Sequence, residues 1–108
     1  GLPWEFAQDN FSWSKPGVLR GLHLQEGQGK LVGVVAGRIW DVAVDLREDS
    51  PTYRQWHGLE LAAGDGKLFW IPAGFAHGFC VLGSEPAGVL YKVDRAYDAS
   101  AERGVRWD

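Results

Sequence analysis

Lys30-Leu31-Val32-Gly33-Val34-Val35-Ala36-Gly37-Arg38-Ile39-Trp40-Asp41-Val42-Ala43-Val44-Asp45-Leu46-Arg47 reads as two β-strands folded back on a tight turn. Lys30–Ala36 is dense in β-branched residues, Ala36-Gly37-Arg38 is the turn, and residues 39–47 form the second strand. The two-residue period of a strand puts Trp40, Val42, Val44 and Leu46 on one face and Ile39, Asp41, Ala43 and Asp45 on the other. Working outward, further strands are expected at residues 55–62, 67–71, 74–82 and 87–94. They are separated by the turn-forming runs Glu48-Asp49-Ser50-Pro51-Thr52, Gly64-Asp65-Gly66 and Gly83-Ser84-Glu85-Pro86. Only residues 98–103 have a helical flavour. Short strands with glycine-rich turns predict an all-β fold, an antiparallel barrel or jelly roll. Trp40, Trp56 and Trp70 fall in strand patterns and are expected in the core.

The chain of 108 residues accommodates one domain, residues 1–108. A net charge of −3 argues against nonspecific nucleic-acid binding, which needs a basic surface. Cys80 is the only cysteine, so no internal disulfide can form and a reducing cytoplasm is the expected compartment. No apolar run approaches the length of a membrane span, and no signal peptide is visible. The sequence contains no methionine and ends on the motif-like Val105-Arg106-Trp107-Asp108, so it is expected to be the core of a longer protein.

Two stretches carry candidate chemistry. Gly17-Val18-Leu19-Arg20-Gly21-Leu22-His23-Leu24-Gln25 sets a permanent cation three residues from a titratable imidazole. That pairing suits an enzyme that anchors an anionic substrate beside a proton-transfer base. Gly66-Lys67-Leu68-Phe69-Trp70-Ile71-Pro72-Ala73-Gly74-Phe75-Ala76-His77 places a histidine just after a Pro/Gly turn. Each residue also has a plain structural reading: a half-buried histidine, a strand tyrosine, a solvated edge lysine.

The second stretch resembles the second conserved motif of the cupin superfamily. Many cupins bind metal through a first motif containing His-x-His and a later Glu. Here that region reads His23-Leu24-Gln25 and then Lys30, an amide and a cation where ligands would be wanted, so no metal is expected.

Taken in order, several motifs resemble the dTDP-4-dehydrorhamnose 3,5-epimerase family. They are Gln8-Asp9-Asn10-x-Ser12-x-Ser14, Gly17 through Gln25, Gln28-Gly29-Lys30-Leu31-Val32, and Asp41 through Arg47. Ser50-Pro51-Thr52-Tyr53, Trp70 through Phe79, Leu90-Tyr91-Lys92 and Trp107-Asp108 follow.

The resemblance implies a cofactor-free epimerase that removes and returns protons beside the ketone of a dTDP-4-keto-6-deoxyhexose, at C3, C5 or both. It implies His23 as general base, Tyr91 as proton donor and Lys30 near the enolate oxygen. Gln8, Asp9, Asn10, Arg20, His77, Tyr97 and Glu102 are the implied substrate contacts, and homodimerisation is implied as well. The stretch between His23 and Lys30 is shorter than is usual in the family. The family's N- and C-terminal segments, including a carboxylate that orients the base, are expected to lie outside these residues. Asp41, on the face opposite the Trp40 stripe, is expected to partner His23 or His77. A second reading is a cupin core that binds a sugar nucleotide without turnover.

Overall fold

The computed structural model describes residues 8–25, 27–94 and 102–104, with backbone only at 25 and 102–104. Among the described residues nine strands run in the order β1 (Gln8–Ser14), β2 (Leu19–Gln25), β3 (Lys30–Ala36), β4 (Arg38–Asp45), β5 (Trp56–Ala62), β6 (Phe69–Ile71), β7 (Phe75–Val81), β8 (Ala87–Val93) and β9 (Glu102–Gly104). They form two antiparallel sheets, ordered β1-β8-β3-β6 and β5-β4-β7-β2-β9. The architecture is the expected jelly roll. Consecutive strands β3 and β4 lie in different sheets, so the turn at Gly37 crosses between layers instead of closing a hairpin.

The inner faces of both sheets supply the core. Val32, Ile39, Ala43, Leu61, Ile71, Phe79, Val81, Ala87 and Val89 pack together and are buried. A smaller cluster of Leu22, Leu24 and Ala76, with Val44 and Leu46 against it, lies on the opposite face of the five-stranded sheet.

On β4 the inward row is Ile39, Asp41, Ala43 and Asp45, all buried, while Trp40 is 39% exposed. This reverses the expected placement of the tryptophans: Trp40 and Trp56 lie on the surface, and Trp70 is only half-buried. Gly58 makes their exposed packing possible. A Cβ there would stand 2.6 Å from Trp40 Cζ2 and 3.2 Å from Trp56 Cζ3. The acids can take the inner row because each accepts at least one hydrogen bond, Asp41 from His77 and Asp45 from several donors.

Asp45 is the clearest case. Its Oδ1 accepts from the Arg47 backbone N–H and from Nε, both at 2.9 Å. Its Oδ2 accepts from Arg47 Nη2 at 2.9 Å, Ser50 Oγ at 2.6 Å and Thr52 Oγ1. The Arg47 hydrogen bond, helped by Ser50 and Thr52, holds the Asp45 carboxyl far below the ordinary carboxylate range, against the opposing effect of burial. Arg47 in turn lies over the Phe75 ring at 4.8 Å. Its stem fills the space a Cβ on Gly74 (φ +92°) would need. The Asp45 knot therefore fastens the turn that starts β7.

Two further differences from the sequence reading have local causes. β1 escapes strand patterning, since it turns the polar Gln8, Asn10, Ser12 and Ser14 inward and the apolar Phe11 and Trp13 outward. The region read as helical, 98–103, ends in strand: Glu102–Gly104 pairs with β2 through Leu24↔Arg103, and residues 98–101 lie outside the described residues. The backbone groups on the edge of β2 outweigh a weak local preference.

Candidate functional site

The mouth of the jelly roll opens into a cavity of about 700 Å³ between the two sheets. From the four-stranded sheet, β1 contributes Gln8, Asn10 and Ser12, β3 contributes Lys30, and β8 contributes Tyr91. From the five-stranded sheet, β2 contributes Leu19, Arg20, Gly21 and His23, and β7 contributes His77, Gly78 and Phe79. Gln28 enters from the turn before β3. The two histidine motifs, 54 residues apart in the chain, become neighbours because His23 and His77 are register partners in the β2/β7 pair.

The β2 wall is tight. Gly21 (φ +107°) approaches β7 so closely that a Cβ would stand 2.6 Å from Gly78 Cα and 2.7 Å from the His77 carbonyl oxygen. Only glycine tolerates both that contact and that backbone angle.

His77 is buried and its Nε2 donates to Asp41 Oδ1 at 2.5 Å. Asp41 thus partners His77 and not His23, and it fixes the imidazole through one ring nitrogen. Its Oδ2 is buried without a hydrogen-bond partner. Arg20 Nε donates to the buried Ser14 Oγ at 2.7 Å, which orients the guanidinium at the rim. Gln8 Nε2 donates to Asn10 Oδ1 at 2.9 Å. Lys30 Nζ stands 5.8 Å from the centre of the Tyr91 ring, so the shortened stretch after His23 still delivers the lysine to the cavity.

His23, Lys30, Tyr91, Gln8, Asn10, Arg20 and His77 therefore line one cavity. Asp9 does not. The alternation of β1 turns it outward, where Lys92 Nζ donates to both its carboxylate oxygens at 3.0 and 3.2 Å. Tyr97 lies outside the described residues, and Glu102 is placed only as backbone, opposite Gln25 in β9. Among the described residues no three His, Cys, Asp or Glu side chains gather as a metal would require.

Sequence reasoning missed six lining residues, the main-chain contributors Gly21 and Gly78 and four with side chains. Ser12 was within reach, since it shares a face with Gln8 and Asn10, and its hydroxyl is buried in the cavity wall without a partner. Phe79 shares a face with His77 by the same rule. Leu19 and Gln28 had no signal, because a β2 irregularity between Arg20 and His23 and a turn decide where they point.

A jelly roll with basic and imidazole groups converging on its mouth is a cupin-type fold. Its family is more specific than that. The model of the dTDP-4-dehydrorhamnose 3,5-epimerase family matches residues 1–108, and the chain belongs to that family. It is 53% identical over 110 residues to the dTDP-4-dehydrorhamnose 3,5-epimerase of Shigella flexneri, covering 99% of this chain and 60% of that protein.

The crystal structure of the Elizabethkingia anophelis enzyme superposes with a TM-score of 0.92 at 52% identity, over 98% of this chain and 59% of that one. The Legionella pneumophila dTDP-6-deoxy-D-glucose-3,5-epimerase, solved with dTDP-4-keto-L-rhamnose, gives a TM-score of 0.90 at 51% identity, over 95% and 55%. The chain thus spans about 60% of the length of the relatives it matches.

Proposed function

We propose that this chain carries the catalytic core of an epimerase acting on a dTDP-4-keto-6-deoxyhexose. The observation that carries the reading is the convergence of His23, Tyr91, Lys30 and Arg20 on one cavity, with His23 and Tyr91 on opposite sheets. Inverting a carbon beside a ketone needs a base on one face, an acid on the other, and positive charge at the carbonyl oxygen where the enolate forms. His23 takes the proton from the carbon, breaking the C–H bond and leaving an enolate. Lys30, helped by His77 held on Asp41, stabilises the oxygen. Tyr91 then delivers a proton to the opposite face of the same carbon, and exchange with water restores both groups.

Arg20, held by Ser14, suits the diphosphate, and Gln8 and Asn10 suit the nucleotide side. Glu102 and Tyr97 complete that side in this reading, and Asp9 serves β1 through its Lys92 pair instead of touching substrate. The reaction needs no cofactor. A single cysteine supports a reducing cytoplasm as the protein's compartment, and the negative net charge argues against a nucleic-acid partner. A homodimer is the expected assembly.

The test is incubation with dTDP-4-keto-6-deoxyglucose in deuterium oxide, followed by proton NMR. Deuterium is expected at C3 and C5. Entry at one carbon only would redefine the chain as a mono-epimerase, and no entry into substrate with folded protein would defeat the reading.

A further inference from the structure

The turn before β3 carries two cavity residues, Gln28 and Lys30, on either side of Gly29. Gly29 is gripped from the end of β8. Its N–H donates to Asp94 Oδ1 at 2.8 Å, and the Asp94 N–H donates back to the Gly29 carbonyl at 3.2 Å. The grip is also steric, because a Cβ on Gly29 would stand 2.6 Å from Trp70 Cη2 and 3.0 Å from Asp94 Oδ2. It continues the β3/β8 ladder by one step beyond the Lys30↔Val93 pair.

The strand direction at Lys30 therefore follows from what holds Gly29. So does the burial of Gln28, which is 7% exposed although it is polar and sits in a turn. Lys30 is the group assigned above to the enolate oxygen, and its Nζ lies against the Tyr91 ring. A long lysine side chain reaches one spot reproducibly only if its backbone is fixed.

We infer that Asp94 is a positioning residue: by clasping the Gly29 amide it fixes the turn that sends Lys30 and Gln28 into the cavity. The consequence for turnover rests on the epimerase reading above; the consequence for geometry does not. Asparagine keeps an acceptor oxygen where Asp94 Oδ1 stands, whereas alanine removes it.

The experiment follows Asp94→Ala and Asp94→Asn in the full chain by NMR and by solvent deuterium exchange. In Asp94→Ala the Gly29 amide loses hydrogen-exchange protection, and the Lys30 side-chain resonances, set by the ring current of Tyr91, move. In Asp94→Asn both stay near their wild-type positions. Exchange into dTDP-4-keto-6-deoxyglucose falls about tenfold in Asp94→Ala and recovers to within about threefold in Asp94→Asn. In a Lys30→Ala background the Asp94→Ala change costs little more, because the two act as one unit.

Unmoved Lys30 and Tyr91 resonances in folded Asp94→Ala would overturn the inference, as would an Asp94→Asn variant as impaired as the alanine. A wild-type chain without any exchange would defeat the epimerase reading alone, and the resonances would still decide the clasp.

Discussion

Replacing Asp45 by asparagine takes a negative charge out of a buried site where three donors converge on one oxygen. Arg47 Nη2, Ser50 Oγ and Thr52 Oγ1 all donate to Oδ2, and an amide nitrogen there would face them as a fourth donor. Breaking a buried ion pair from one side costs about 3–5 kcal/mol. Arg47 is 43% exposed and can rehydrate once released, so the loss belongs at the low end, about 3 kcal/mol. For a domain near 100 residues that is a fall in Tm of about 12 °C.

The pH dependence has a definite sign. The folded pKa of Asp45 lies well below its unfolded value of about 3.9, so its contribution is complete above that value and drains away as pH falls towards the folded one. The amide of the Asp45→Asn variant does not titrate. Urea unfolding of both proteins at pH 7, 4 and 2.5, followed by circular dichroism, should show nearly the same stability gap at pH 7 and 4 and a clearly narrower one at pH 2.5. A gap constant across that range, or below about 1 kcal/mol at pH 7, would refute the reasoning.

His23→Asn and Tyr91→Phe should each slow solvent deuterium incorporation by about 10²–10⁴-fold, the usual worth of a general acid or base, while calorimetry finds dTDP binding almost unchanged. Arg20→Ala should weaken dTDP binding by about 10–150-fold, since charge-assisted hydrogen bonds are worth about 1.5–3 kcal/mol, with Ser14→Ala following in the same direction by a smaller factor in the same titration. Arg54 holds φ at +71°, so Arg54→Gly should raise Tm by a few degrees in calorimetry, the relief of about 1 kcal/mol being partly offset by the lost contact with the Tyr53 ring.

Strands with an apolar inner row were legible from sequence alone, and β3 was found to the residue. β1 was not, because its inner row lines a wet cavity: Gln8, Asn10 and Ser12 face in while Phe11 and Trp13, each 57% exposed, face out. Alternation on β4 was read correctly, but which face was buried was not. A row of Trp40, Val42 and Val44 looked more apolar than one holding two aspartates, and only the partners on Arg47, Ser50, Thr52 and His77 show why the acids go inside. The cavity residues His23, His77, Lys30 and Tyr91 were legible through motif order. The outward turn of Asp9 and the grip on Gly29 depend on register and long-range contacts, which no local pattern encodes.

The Gly21–Gly78 contact bears on how this pocket can be reshaped. At Gly21, where β2 comes closest to β7, the wall is bare main chain, so no side chain can be added there to narrow or recolour the chamber without parting two strands. Reshaping has to come from the side chains around it, Leu19 and Phe79 on the same wall and Gln8, Asn10, Ser12 and Gln28 on the opposite wall and rim. Any lineage or designer altering one histidine motif must also respect the other, since the Gly21 backbone of the first lies directly against Gly78 and the His77 carbonyl of the second.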